Sequence, residues 1–361
     1  MWSDAAPIPA GLAGGPDTHN PMGALPLMAR VLVAGLGSIG RRHLRNLMRL
    51  GVDDLVLYRT RPEPVDEAPG LPVVTDLARA LDMRPDLVVV SNPTAFHLDV
   101  ALPAAEAGCH LFIEKPLSHT WDRVPELLEA VDRGGLVSLT GFDLRFDRGL
   151  LRVRDLLAEG RIGRVLSVQV QVGEYLPDWH PWEDYRRGVS ARVESGGGVI
   201  LDLIHELDYV TWLLGPVRTV ACFADRVSNL EIETEDTAAM LLRFESGAIG
   251  TVHLDYLQRA PSRTSRFIGE DGVIVWDYFT RTVRWYEAGV GRWFDFAYAD
   301  QDRDDRFLDE MRHLLDCLAG RARPSADAAA GARVLALALA AKESARTGRG
   351  CPAHERDGCR P

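Results

Sequence analysis

The stretch LFIEKPLS, residues 111–118, ends an apolar run in Glu114, Lys115 and Pro116. Only two of the 41 basic side chains are lysine, Lys115 and Lys342; the others are arginine. Arginine keeps its proton in proteins, whereas a lysine can give one up when its surroundings lower its pKa. Lys115 is therefore either an acid–base group or an ammonium reaching from a strand end to water. A second group lies in GGGVILDLIHELDY, residues 196–209. On a helix Asp202 and His205 are spaced i, i+3 and share a face, and Asp208 follows His205 at the same interval. A carboxylate beside an imidazole orients it and raises its pKa, which suits proton exchange near neutrality. The alternative is a carboxylate at a helix start and a satisfied core histidine.

Both groups need a scaffold that carries them to one place. RVLVAGLGSIGRRHLRNLMRLG (30–51) supplies a short apolar strand, a turn with glycines at 35, 37 and 40, and a helix. In that context Gly35, Gly37, Ser38, Ile39 and Gly40 make a dinucleotide-binding fingerprint. Glycine lets the backbone approach a pyrophosphate, and the helix start supplies N–H donors and partial positive charge. Further apolar strands at 54–58, 86–91, 110–115 and 136–142 alternate with helical stretches, as in a parallel sheet covered on both faces. The second strand runs into LYRTRPE (57–63). Arg59, Thr60 and Arg61 stand where an acid would hold the ribose 2′-hydroxyl of NAD, so the sequence favours NADP(H), with NAD(H) as the other possibility. SNPTAFH (91–97) follows the third strand. It brings Asn92, Pro93 and Thr94 to the cofactor crevice, with His97 at the start of a helix. Glu114 and Lys115 end another strand of the same sheet, facing the nicotinamide end.

Past about residue 150 the period changes. RVLSVQVQVGEY (164–175) alternates apolar and polar side chains, as a half-buried antiparallel strand does, and AAMLLRF, TVHLDYL and VIVWDYF repeat the pattern. One helix, 198–215, interrupts, and helices at 303–319 and about 325–347 close the chain. The fold class is α/β, an N-terminal Rossmann doubly wound parallel sheet followed by an α+β half. In EYLPDWHPWEDYR (174–186), Trp179, His180, Trp182, Tyr185 and Arg186 make either a stacking and hydrogen-bonding surface for a sugar or a loop packed on the sheet. EIETED (231–236) reads as a solvated strand or loop.

Composition narrows the partners. The 361 residues carry a net charge of −11 with no basic stripe, which argues against nucleic acid and anionic membranes. No apolar run is long enough to span a bilayer. The first 27 residues, rich in Pro, Gly and Ala, read as a disordered extension and not as a secretory signal. Five scattered cysteines read as reduced thiols in the cytoplasm. The tail places Cys351 and Cys359 near His354, but a fourth ligand is missing and no metal site is expected.

The ordered set of a Gly-rich strand–turn–helix, N-P-x-x-x-H, E-K-P, then G-G-G followed by D…H-x-x-D resembles the Gfo/Idh/MocA family. That is the glucose–fructose oxidoreductase and inositol dehydrogenase family, and the likeness covers nearly all of 28–347. It implies a Rossmann domain at 28–145 and an α+β domain at 146–324 with a large, mostly antiparallel open sheet. It further implies a helix at 325–347 packing back on the Rossmann domain, with a flexible tail at 348–361. The open sheet implies a homodimer or homotetramer. The resemblance also makes Lys115 and His205 catalytic, with Lys115 on the reacting oxygen. Asp202 lies three residues before His205 where the family usually has four, which turns it by roughly 100° on a helix. It either meets the substrate differently or only caps the helix. The implied activity is NAD(P)-dependent oxidoreduction of a sugar, nucleotide sugar or cyclitol. The alternatives are a glycosidase or epimerase that retains its cofactor and a non-catalytic sugar or nucleotide sensor.

Overall fold

The computed structural model describes residues 29–61, 65 and 68–353. The expected N-terminal extension, His354 and Cys359 lie outside the described residues. Six strands form a parallel sheet: β1 (Val31–Ala34), β2 (Leu55–Tyr58), β3 (Val73–Val74), β4 (Leu87–Val90), β5 (His110–Glu114) and β6 (Ser138–Gly141). Their order is 3-2-1-4-5-6. Every residue of β1 and β4 is buried, which is why both read as unbroken Val/Leu/Ala runs. Four helices link the strands: α1 (Ser38–Arg49), α2 (Leu77–Asp82), α3 (His97–Glu106) and α4 (Val124–Gly134). The strand order reverses between β1 and β4, and a doubly wound sheet binds its ligand outside the carboxyl ends at that switch point.

After α5 (Arg148–Ala158) comes the second sheet. It opens with β7 (Val165–Gly173), then the single turns α6 (Leu176–Trp179) and α7 (Val199–Asp202), and α8 (His205–Leu214). Then follow β8 (Val217–Asp225), β9 (Thr237–Phe244), β10 (Ile249–Asp255), β11 (Ser262–Gly269), β12 (Gly272–Asp277), β13 (Thr282–Glu287) and β14 (Arg292–Ala297). Two helices, α9 (Arg303–Leu318) and α10 (Ala328–Thr347), and a last short strand, β15 (Cys351–Pro352), complete the chain. The nine strands run 14-13-12-11-7-10-9-8-15, antiparallel except for the β7–β10 pair. Alternation sorts the faces: Val168, Val170, Val172, Met240, Leu254 and Phe267 are buried, while Gln169, Gln171, Leu241 and His253 are exposed on the open face.

Three expectations change. The helix expected at 198–215 is broken after Asp202, because Leu203 (φ −96°, ψ 32°) leaves the helical region. Asp202 and His205 therefore do not share one helix. The tail is not flexible throughout: Cys351 and Pro352 pair with Val220 and Thr219 of β8. Cys351 is disulfide-bonded, so the all-thiol reading fails there; Cys109, Cys222 and Cys317 are free and buried. The closing helix divides its contacts. α10 lies along β8, and its Gly331 is seated so closely on β6 that an added Cβ would fall 2.4 Å from Thr140 Oγ1. It thus packs on the first domain as well as on the second sheet, and α9 adds to that cover through Arg42–Asp304 (3.0 Å) and the edge contact of His43 with Phe307.

Candidate active site

The glycine turn between β1 and α1 has three different glycines. Gly35 (φ +93°) is pressed on the backbone of Asn92, and a Cβ on Gly40 would lie 2.0 Å from the carbonyl oxygen of Gly35. Gly37, at the helix N-cap, faces nothing within 4 Å. Ser91 fastens the turn by donating to the carbonyls of Ala34 and Gly35. Gly37 and Ser38 are exposed, Ile39 is half-buried, and α1 has neither a side-chain cap nor an acid in its first turn. Open space over Gly37 beside free N–H groups fits a dinucleotide pyrophosphate. Beyond β2, Arg59 is half-buried while Thr60 and Arg61 are exposed.

The loop after β4 is tied to the loop after β5. Asn92 Nδ2 donates to the Phe96 carbonyl, and the buried His97 ring sits between the Pro116 and Asn92 carbonyls at 2.9 and 3.0 Å. His97 is thus the first residue of α3 and a brace between two crevice loops. Pro93 precedes this turn and Thr94 is buried in it. Glu114 is also internal: His43 Nε2 of α1 lies 2.6 Å from its Oε1, and its Oε2 accepts the Lys115 N–H. Both link the cofactor crevice to Lys115 without facing solvent.

Lys115 reaches across to the second sheet. Its Nζ donates to the Asp202 carbonyl at 2.7 Å. That carbonyl is free because the helix breaks there, and the Glu206 N–H turns to Leu203 instead. The Asp202 carboxylate accepts the buried Tyr256 hydroxyl at 2.6 Å, and Trp179 stands edge-on to Tyr256 at 5.3 Å. Trp179 Nε1 is buried without a partner. The other aromatic-loop residues point elsewhere. Trp182 is exposed against His180, Tyr185 accepts the Glu231 N–H, and Arg186 is bound by Asp184 and Glu231.

His205 opens α8. Its carboxylate neighbour is Asp143, in the turn after β6, with Nε2 3.4 Å from Oδ1. Asp208, the expected partner, instead takes the Arg145 guanidinium at 2.6 Å. Arg306 of α9 holds the other Asp143 oxygen at 3.0 Å. Burial would raise the Asp143 carboxyl, but the bonded Arg306 guanidinium leads the pull that brings it down to about 2. Burial pushes His205 well below its ordinary value, against the pull of Asp143, and Lys115, Arg263 and Arg306 push the same way. His205 is thus neutral, and a proton on Nε2 directed at Asp143 leaves Nδ1, which has no protein partner, as the basic atom. Sequence reading stopped at β6 and missed Asp143; its place just past a strand's carboxyl end was the available signal. A cavity of about 220 Å³ behind Arg306, lined by Asp147, Tyr278 and Tyr298 among others, includes none of Lys115, Asp202 or His205.

Lys115 follows a strand of the Rossmann sheet and bonds to the turn that starts His205, which stands beside the Asp143 carboxylate. Residues 29–142 match the oxidoreductase family model with an NAD-binding Rossmann fold, and 150–275 match the GFO/IDH/MocA C-terminal domain. The chain belongs to the Gfo/Idh/MocA family and is a dehydrogenase of that family, acting on CH–OH groups. It is 28% identical to myo-inositol 2-dehydrogenase of Thermotoga maritima over 87% of this chain and 96% of that one. Among solved structures it resembles the WlbA dehydrogenase from Bordetella pertussis, in complex with NADH and UDP-GlcNAcA. That match has 25% identity and a TM-score of 0.76 over 90% of this chain and 98% of the other. The fold is also that of levoglucosan dehydrogenase in complex with NADH and levoglucosan, at 20% identity and a TM-score of 0.79 over 91% and 100% of the two chains. Among the described residues no group of three His, Cys, Asp or Glu is placed to hold a metal, and no helix could cross a membrane.

Proposed function

We propose that the chain moves a hydride between nicotinamide and a secondary alcohol carbon of a sugar, nucleotide sugar or cyclitol. The observation that carries this reading is the Lys115–Asp202 bond, which brings the end of β5 to the turn that starts His205. Nicotinamide, when bound, accepts or returns the hydride. Gly37 and the α1 N-terminus hold the pyrophosphate, and Asn92, Pro93 and Thr94 border the ribose. Lys115 Nζ donates to the reacting oxygen. His205 takes the hydroxyl proton on Nδ1 during oxidation and returns it during reduction, while Asp143 holds Nε2. Trp179 lines the sugar side through Tyr256 and Asp202.

Arg59 and Arg61, with no acid at positions 59–61, support NADP(H); NADH in the WlbA dehydrogenase complex supports the other cofactor. The exposed Phe223 and Leu241 on the open face of the second sheet support a homodimer or homotetramer, and sedimentation of Phe223→Glu tests it.

The test is reduced-nicotinamide absorbance with NAD⁺ and NADP⁺ against inositols, anhydrosugars, free hexoses and UDP-sugars, with Lys115→Ala as control. A signal lost in the variant is the expected result. Turnover with no net cofactor reduction would replace the reading with a retained-cofactor enzyme.

A further inference from the structure

Helix α9 buries two charged side chains one turn apart, Arg306 and Glu310. Arg306 is bonded to Asp143 and to the Tyr278 hydroxyl. Glu310 is 0% exposed, and neither of its carboxyl oxygens has a hydrogen-bond partner. The groups acting on it come from every side: Glu114 from β5, Asp143 from the turn after β6, Asp208 from α8 and Arg306 from its own helix. His43 of α1 is bonded to Glu114 and lies against Phe307, beside Arg306 on α9. The guanidiniums of this layer are engaged, Arg306 by Asp143 and Arg145 by Asp208. A fully buried carboxyl without a hydrogen-bonded cation of its own keeps its proton, since the charged form is the one that burial penalises. Burial first, then the repulsion of Glu114 and Asp143, drive the Glu310 pKa well up.

We propose that Glu310 is carried as the neutral acid and is a positioning residue, keeping a further negative charge away from the Glu114 and Asp143 carboxyls that brace Lys115 and His205. Glu114 receives the Lys115 N–H, and Asp143 faces His205. A charge on Glu310 would repel both and loosen the two groups from behind. The protonation state stands on the structure alone; the positioning role rests on the dehydrogenase reading.

The first test needs no substrate. Infrared spectra of the wild-type protein at neutral pH should contain a protonated-carboxyl band that is missing in Glu310→Gln. Stability of the two proteins against denaturant gives the second readout. A carboxyl with a raised folded-state pKa contributes its full stability below its unfolded value of about 4.3 and loses it as pH rises. Above that value the wild-type folding constant should therefore fall about tenfold per pH unit relative to Glu310→Gln, up to the folded-state pKa. A pH-independent difference, or no protonated band, overturns the neutral acid, and the band can be sought in wild type alone if the variant misfolds. For the positioning role, Glu310→Gln should keep kcat within a few-fold at neutral pH and lose an alkaline fall present in wild type. Identical alkaline limbs overturn that role while leaving the protonation state and the dehydrogenase reading in place.

Discussion

Lys115 Nζ lies 2.7 Å from the backbone carbonyl of Asp202, and this bond joins the last residues of a parallel strand to a break between two helices of the other sheet. It holds the lysine in place before any substrate arrives. The helix break at Leu203 is what leaves that carbonyl open to the lysine. A bound substrate hydroxyl would share that ammonium, which has three donors.

Replacing either acid–base group should separate chemistry from binding. Lys115→Ala and His205→Ala should each lower kcat by about 10²–10⁴, with nucleotide affinity retained by calorimetry. Lys115→Arg should not restore the rate, because a guanidinium does not exchange its proton. Near-wild-type turnover in both alanine variants would remove them from the mechanism.

Asp143→Asn should show in two pH profiles. The wild-type carboxyl is depressed to about 2 from an ordinary 3.8. A depressed carboxyl contributes stability above its unfolded value and loses it as pH falls through the folded one. Wild type should therefore lose about 2 kcal/mol relative to Asp143→Asn between pH of about 4 and about 2. His205 is already neutral well below its ordinary value, so the acid limb of kcat/KM should lie below 6.5. Asparagine removes the Asp143 charge that pulls it up, and the limb should move lower still.

The glycines predict opposite phenotypes. Gly37→Ala meets nothing within 4 Å, so stability should change by less than about 0.5 kcal/mol while nucleotide affinity falls. Gly40→Ala drives a Cβ into the Gly35 carbonyl at 2.0 Å and should cost about 1–3 kcal/mol or more in denaturant unfolding. Equal stability losses would mean that Gly37 faces packing and not cofactor.

Cofactor choice is tested at the end of β2. Arg59→Ala combined with Arg61→Ala should raise the KM for NADP⁺ about tenfold or more, the size expected for one lost charge-assisted contact of about 1.5–3 kcal/mol, and leave that for NAD⁺ nearly unchanged. Unaltered values for both cofactors would assign these arginines to solvent.

Much of the scaffold could be read because its signals are local. The glycine turn lies within one strand–turn–helix, β1 and β4 are apolar throughout, and β7 alternates over its length. The candidates Lys115 and His205 stand out in their own short motifs. The contacts around them do not, since Asp143 meets His205, Arg306 meets Asp143 and Tyr256 meets Asp202 from remote segments, and only the place of Asp143 just past β6 gives a local hint. Asp208 misled for the same reason: helical spacing puts it near His205, but buried Arg145 offers a charge. Asp236 shows the converse error. It sits in an acidic run that looks solvated, yet it is fully buried and receives the N–H groups of Val227 and Ser228. Charge along a segment says little about which member closes a turn.

The placement of α9 on α1, and of Gly331 against Thr140, carries a consequence for synthesis. The nucleotide-binding half precedes the second sheet in the chain, but part of its cover, α9 and α10, is encoded after β14. While the chain is still on the ribosome, the α1 flank around His43 and the β6 edge lie bare, awaiting helices that have not been made. Completion of the first half is thereby deferred until α9 and α10 have emerged, and this half is the one a holding chaperone would meet.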